Sequence, residues 1–210
     1  MTYAVIYSSP ELEQSCIDFY IKEVPRPRVF EWNLFHHSIL SSSCVDIDGV
    51  LCEDIDRRDD DDGERYVDLI MQVKPKFIPT KTIDTLVTNR LEKYRDITEA
   101  WLKKHNINYN SLVMNPCATA EERREKNNYI SHKSNAFKKS GNLLFIESDI
   151  KQAAGIAKET GYSVICTDTN EILHPNYYSR VSSVSGIKAN IKMRLLKSKL
   201  FMRIYRKICR

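Results

Sequence analysis

Short runs of strand-like composition alternate with longer segments of helical period along most of this chain, and that alternation restricts the fold more than any other feature. Residues 43–47, 85–88, 111–114, 143–146 and 163–166 read as strands. Segments 90–105, 120–138 and 150–160 read as the helices between them. In the last of these, Ile150, Ala153, Ala154, Ile156 and Ala157 recur at helical spacing, and Gly161 follows as a stop signal. Strands separated by a helix are joined by a crossover and pair in parallel. The expectation is therefore an α/β fold with a parallel five-stranded central sheet.

A chain of 210 residues has room for one such domain and an appendage. The charge pattern locates the appendage. Net charge is +4, yet residues 186–210 carry nine Lys or Arg and no acid, so residues 1–185 sum to −5. The division expected is 1–42, an N-terminal strand and helix segment; 43–180, the α/β core; and 186–210, a basic amphipathic helix. Six cysteines without a CxxC pair point to reduced thiols in a cytoplasmic setting. No run of about 18 apolar residues offers a membrane span.

The chemistry concentrates in CVDIDGVLCED, residues 44–54. Asp46 and Asp48, two apart at a strand end, share a face, and Gly49 lets the backbone turn away sharply. In open α/β sheets, ligands bind at the carboxyl ends of the strands where strand order reverses. Further along the chain, DTLVTNR (84–90) supplies Thr88 and Asn89, HKSNAFKK (132–139) supplies Lys133, and LLFIESD (143–149) supplies Glu147 and Asp149. Each has a plainer alternative: Thr88 and Asp149 suit helix N-caps, and surface lysines are mostly solvated. The four aspartates 59–62 read as a solvated loop.

In this order, the segments resemble the motifs of haloacid dehalogenase superfamily phosphatases, including DxDGxL at the first. The resemblance implies a three-layer Rossmann-like fold with Asp46 as nucleophile and Asp48 as acid and base. By the same resemblance Thr88, Asn89 and Lys133 bind phosphate, and Asp46, Asp48, Glu147 and Asp149 hold Mg2+. Ser148 stands where the usual aspartate would be. About 35 residues separate the first two motifs, enough for a minimal cap of loop and helix (66–73).

A second resemblance lies in TYAVIY and IDFYIKEVPRPRVFEWNLFHH, which look like the end of a phosphoribosyltransferase-like domain fused to such phosphatases in bacterial proteins. A strand at 4–7 and a helix at 11–24 are expected there. Phe30, Trp32 and Phe35 read as packing residues, and His36 and His37 as structural. The basic tail suits either a solvated, partly disordered terminus or peripheral contact with an anionic membrane, whereas nucleic acid finds no recognition fold. The expected activity is hydrolysis of a phosphorylated small molecule such as a sugar phosphate. The rival is a non-catalytic subunit partnering a phosphoribosyltransferase-like protein.

Overall fold

The computed structural model describes residues 2–8, 17–23, 29–55 and 62–175. Its main sheet has six strands: β3 (Ser43–Val45), β4 (Ile83–Leu91), β5 (Tyr109–Asn115), β6 (Leu144–Glu147), β7 (Ser163–Cys166) and β8 (Glu171–Leu173). They lie in the order β5-β4-β3-β6-β7-β8. The first five run parallel, and β8 pairs antiparallel to β7. The five-stranded sheet expected from sequence thus gains an antiparallel edge strand. Three residues after a turn at Asn170, whose φ is +54°, carry too little periodicity to register as a strand.

Five helices complete the described fold: α1 (Glu64–Gln72), α2 (Arg95–Lys104), α3 (Ala120–Lys126), α4 (Tyr129–Ser140) and α5 (Ile150–Thr160). Alternating strand residues feed two apolar layers. Val45, Leu86 and Ile146 pack with Trp101 and Leu102 of α2, while Cys44, Val87 and Phe145 pack with Phe137 of α4 and Ala153 and Ile156 of α5. Side chains two apart on a strand share a face, so successive residues of β3, β4 and β6 cover both faces and the sheet lies buried between helices. The first layer also takes in Leu34, Phe35 and Leu40, so the core reaches back past the boundary at residue 42 suggested by the sequence.

Three helix boundaries differ from expectation. The segment 90–105 begins as strand: β4 runs to Leu91, a 3-10 turn spans Glu92–Tyr94, and only then does α2 start. The segment 120–138 is two helices, broken where Asn127 takes a left-handed conformation with φ +44°. In the N-terminal region, β2 (Phe19–Glu23) is a strand rather than helix and pairs in parallel with β1 (Ala4–Ser8). The β-branched and aromatic content of FYIKE favours that pairing. The rest of the proposed helix at 11–24 falls outside the described residues, apart from 17 and 18, which precede β2.

Nearby side chains settle into packing roles. Tyr7 stacks on Phe30 and Phe30 on Trp32, with ring centroids 5.0 Å and 5.7 Å apart, although Trp32 itself is 75% exposed. His37 accepts the Ile39 amide as cap of a 3-10 turn, and His36 meets Thr80 at 3.0 Å. Of the acidic run, residues 59–61 lie outside the described residues. Asp62 is pinned by the Tyr94 hydroxyl, the Lys93 ammonium and the Ala120 amide, so this end of the run is not a loosely solvated loop. The basic tail 186–210 also lies outside the described residues, and among those described no helix is long and apolar enough to cross a membrane.

Candidate active site

The sheet order reverses at β3: the chain goes from β3 to β4 and β5 on one side, then returns to β6 and β7 on the other. Residues leaving the carboxyl ends of β3, β4 and β6 therefore meet in one crevice. A cavity of about 320 Å3 lies there, with Asp46, Asp48, Asn89, Lys133, Glu147 and Asp149 among its lining residues. Thr88 is fully buried beside it, 3.4 Å from Asp48 Oδ2.

Lys133 reaches in from α4 and places its Nζ 2.7 Å from Asp46 Oδ2 and 2.6 Å from Glu147 Oε2. All three side chains are almost wholly buried. Two carboxylates thus share one ammonium in a dry setting. Burial and the neighbouring carboxylates of Glu147 and Asp48 push Asp46 well above its usual range, with the Lys133 ammonium only partly opposing them. Lys133 itself is raised, because attraction to the two carboxylates outweighs the cost of burying its charge.

Asp48 meets a different partner. Arg90, at the end of β4, donates from Nε to both carboxylate oxygens at 3.1 and 3.0 Å and from Nη2 to Oδ1 at 2.6 Å. Burial alone would raise Asp48, but the guanidinium prevails and holds the carboxyl below its ordinary value. Asp48 consequently stands ionised at neutral pH. Thr88 also caps locally, its Oγ1 accepting the Arg90 amide at 3.1 Å.

The turn after β3 depends on Gly49. Its φ is +76°, and an added Cβ would run into the Ser148 side chain. The Ser148 hydroxyl donates to the Asp48 main-chain oxygen at 3.4 Å, tying the first motif to the end of β6. Asp149 is the N-cap of α5: its Oδ1 accepts the amides of Lys151 and Gln152, both at 2.8 Å. It lines the cavity as well, so capping and facing the site coexist in one residue.

Sequence reasoning missed Arg90, Arg123, Gln152 and the tyrosines Tyr66 and Tyr129, all of which line the same cavity. Arg90 was signalled only by standing directly after Thr88 and Asn89. Arg123 donates to the Asn89 carbonyl at 2.6 Å and lies over the Tyr129 ring. Five lining carboxylates (Asp46, Asp48, Asp54, Glu147 and Asp149) face three cations (Arg90, Arg123 and Lys133), a formal excess of two negative charges. Among the described residues, no three His, Cys, Asp or Glu side chains converge as a metal-holding group. The described cysteines, Cys44, Cys52, Cys117 and Cys166, are all free and buried. Comparison with protein-family models, with curated proteins and with solved structures gives no match.

Proposed function

We propose that this chain is a phosphate monoester hydrolase working through an aspartyl-phosphate on Asp46, in the manner of the haloacid dehalogenase superfamily. The observation that carries the reading is the meeting of Asp46, Asp48, Thr88, Lys133 and Glu147 around one crevice at a reversal of strand order. In the first step an Asp46 oxygen attacks phosphorus while the ester P–O bond breaks. The leaving oxygen takes its proton from water, because Asp48, held ionised by Arg90, has none to give and so does not fill the acid half of the role the resemblance implied. In the second, water attacks the phosphorus, Asp48 accepts its proton, and the P–O bond to Asp46 breaks. Arg90 suits Asp48 to this second role, because it keeps the carboxylate ionised as an acceptor. Lys133, which lines the cavity, binds phosphoryl oxygens in a setting where fixed charges act strongly, whereas the Thr88 hydroxyl, fully buried and turned to Asp48, steadies that carboxylate rather than the ligand.

Magnesium fits the charge and the donors. It is hard, favours oxygen and needs only one or two carboxylates besides carbonyls and waters, which suits a site without a ready-made cluster of three acids. Asp46, the Asp48 main-chain carbonyl and Glu147 or Asp149 would hold it. Bound there, it would offset the two excess negative charges and lower the cost of ionising Asp46.

A non-catalytic binding subunit is the second reading, favoured by the fact that Asp46 and Asp48 already have cationic partners within the chain. Assaying phosphorylated metabolites with Mg2+, alongside Asp46→Asn, separates the two. Turnover that vanishes in the variant is expected. Turnover surviving in Asp46→Asn removes the nucleophile, and none in either protein favours the subunit.

A further inference from the structure

A chain of side-chain amides runs along one wall of the cavity; it engages both ends of Asn89, which the resemblance had assigned to phosphate, and has no part in the steps above. Its anchor is Asn115, the last residue of β5, which is fully buried. The Asn115 carbonyl oxygen accepts the Cys117 amide at 3.1 Å, which fixes which end of the side chain is the donor. Its Nδ2 then donates to Asn128 at 3.3 Å and to Asn89 Oδ1 at 3.5 Å. With its oxygen taken, Asn89 turns its own Nδ2 to Gln152 Oε1, 3.2 Å away. Arg123 pins the Asn89 main chain from the other side. The polarity set at Asn115 is thus handed to Gln152, whose Nε2 is left as a donor on the cavity wall.

Gln152 is not serving its helix. It is the third residue of α5 after the Asp149 cap, where a glutamine commonly reaches back to the cap residue's own N–H. Here Glu147 Oε1 accepts that N–H at 3.2 Å, and the Gln152 side chain crosses to β4 instead. The amide chain joins β5, β4 and α5, three elements that packing holds in place, so its last donor is preorganised.

We infer that Gln152 is a specificity-determining residue, which donates to a hydroxyl on the leaving group and so selects polyhydroxylated phosphate esters over simple alkyl ones. Gln152 lines the same cavity as Asp46 and Lys133, so the donor it leaves faces the remainder of an ester whose phosphoryl group is held at Asp46. A cavity of about 320 Å3 is at the small end of those that hold metabolites, room for a short polyol or a single sugar. The inference rests on the phosphatase reading for its orientation, with the phosphoryl group at Asp46.

Equilibrium binding tests it without needing turnover. Calorimetry on the full-length Asp46→Asn protein with Mg2+ compares glycerol 3-phosphate with propyl phosphate, which differ only in hydroxyls. One well-made hydrogen bond predicts a preference of about tenfold for the glycerol ester. In the Asp46→Asn, Gln152→Leu protein, checked for folding by its melting curve, the preference should shrink to under about twofold. A preference that survives Gln152→Leu, no preference in the parent, or binding of neither ester overturns the inference. If the preference follows Gln152 while the native protein hydrolyses nothing, the phosphatase reading fails and a polyol-phosphate binding site remains.

Discussion

Asp46 and Asp48 leave the same strand two residues apart, yet they enter opposite electrostatic settings. Asp46 faces β6, where it shares the Lys133 ammonium with Glu147 and is pushed up in pKa. Asp48 faces the end of β4, where Arg90 engages it at both oxygens and holds it down. A single cation split between two buried carboxylates leaves one negative charge poorly compensated, whereas a guanidinium matched to one carboxylate leaves none. On the phosphatase reading proposed above, the difference would divide the roles: Asp46 the unstable charge that a phosphoryl group or a divalent ion relieves, and Asp48 a settled acceptor.

The largest effect is expected from removing the shared cation. Lys133→Met leaves Asp46 and Glu147 facing each other without compensation, and breaking a buried ion pair on one side costs about 3–5 kcal/mol. Denaturant unfolding should show that loss, and adding Glu147→Gln should recover part of it. Native-like stability in Lys133→Met would mean that the two carboxylates are not both charged there. Arg90→Gln should cost less, about 1.5–3 kcal/mol, because the Asp48 side chain keeps 22% of its surface and retains water as a partner. On the proposed mechanism, in which Asp48 acts on water after phosphoryl transfer, the same variant should reduce kcat more than it raises KM. A pure KM effect would place Arg90 in substrate binding instead.

What the sequence made legible divides along the same line. Strands and helices follow local periodicity, so the five parallel strands and α5 could be read directly, as could the strand ends that carry Asp46 and Glu147, whereas Thr88, read as a strand end, lies three residues inside β4. Asn127 breaks a helix by adopting φ +44°, a conformation its neighbours do not announce. Arg90 was read as the start of a helix because its partner, Asp48, is 42 residues away and no spacing rule connects them. Gln152 was hidden for a similar reason. Its position on the helix was clear, but the turn of its side chain toward Asn89 depends on Glu147 having taken the cap residue's amide. Residue types at strand ends are written locally, whereas the cation each carboxylate meets is decided by packing across the sheet.

The smallest expected effect is on the pH dependence of stability, where the two aspartates should pull in opposite directions. Asp48 titrates lower in the folded chain than its reference value of 3.8, so its contribution is complete above that value and is lost as pH falls through the folded one. Asp46 titrates higher than 3.8 when folded, so its contribution is present below that value and is lost as pH rises through the folded one. Unfolding free energies measured from about pH 3 to 6 on the native chain, Arg90→Gln and Asp46→Asn should separate the two. The gap between native and Arg90→Gln should narrow toward the acid end, because a protonated Asp48 no longer distinguishes them. The stability of Asp46→Asn relative to native should instead grow as pH rises, because the amide never has to ionise in a buried place. Parallel curves for all three proteins would mean that the two carboxylates share one environment, and the division of roles between them would fall.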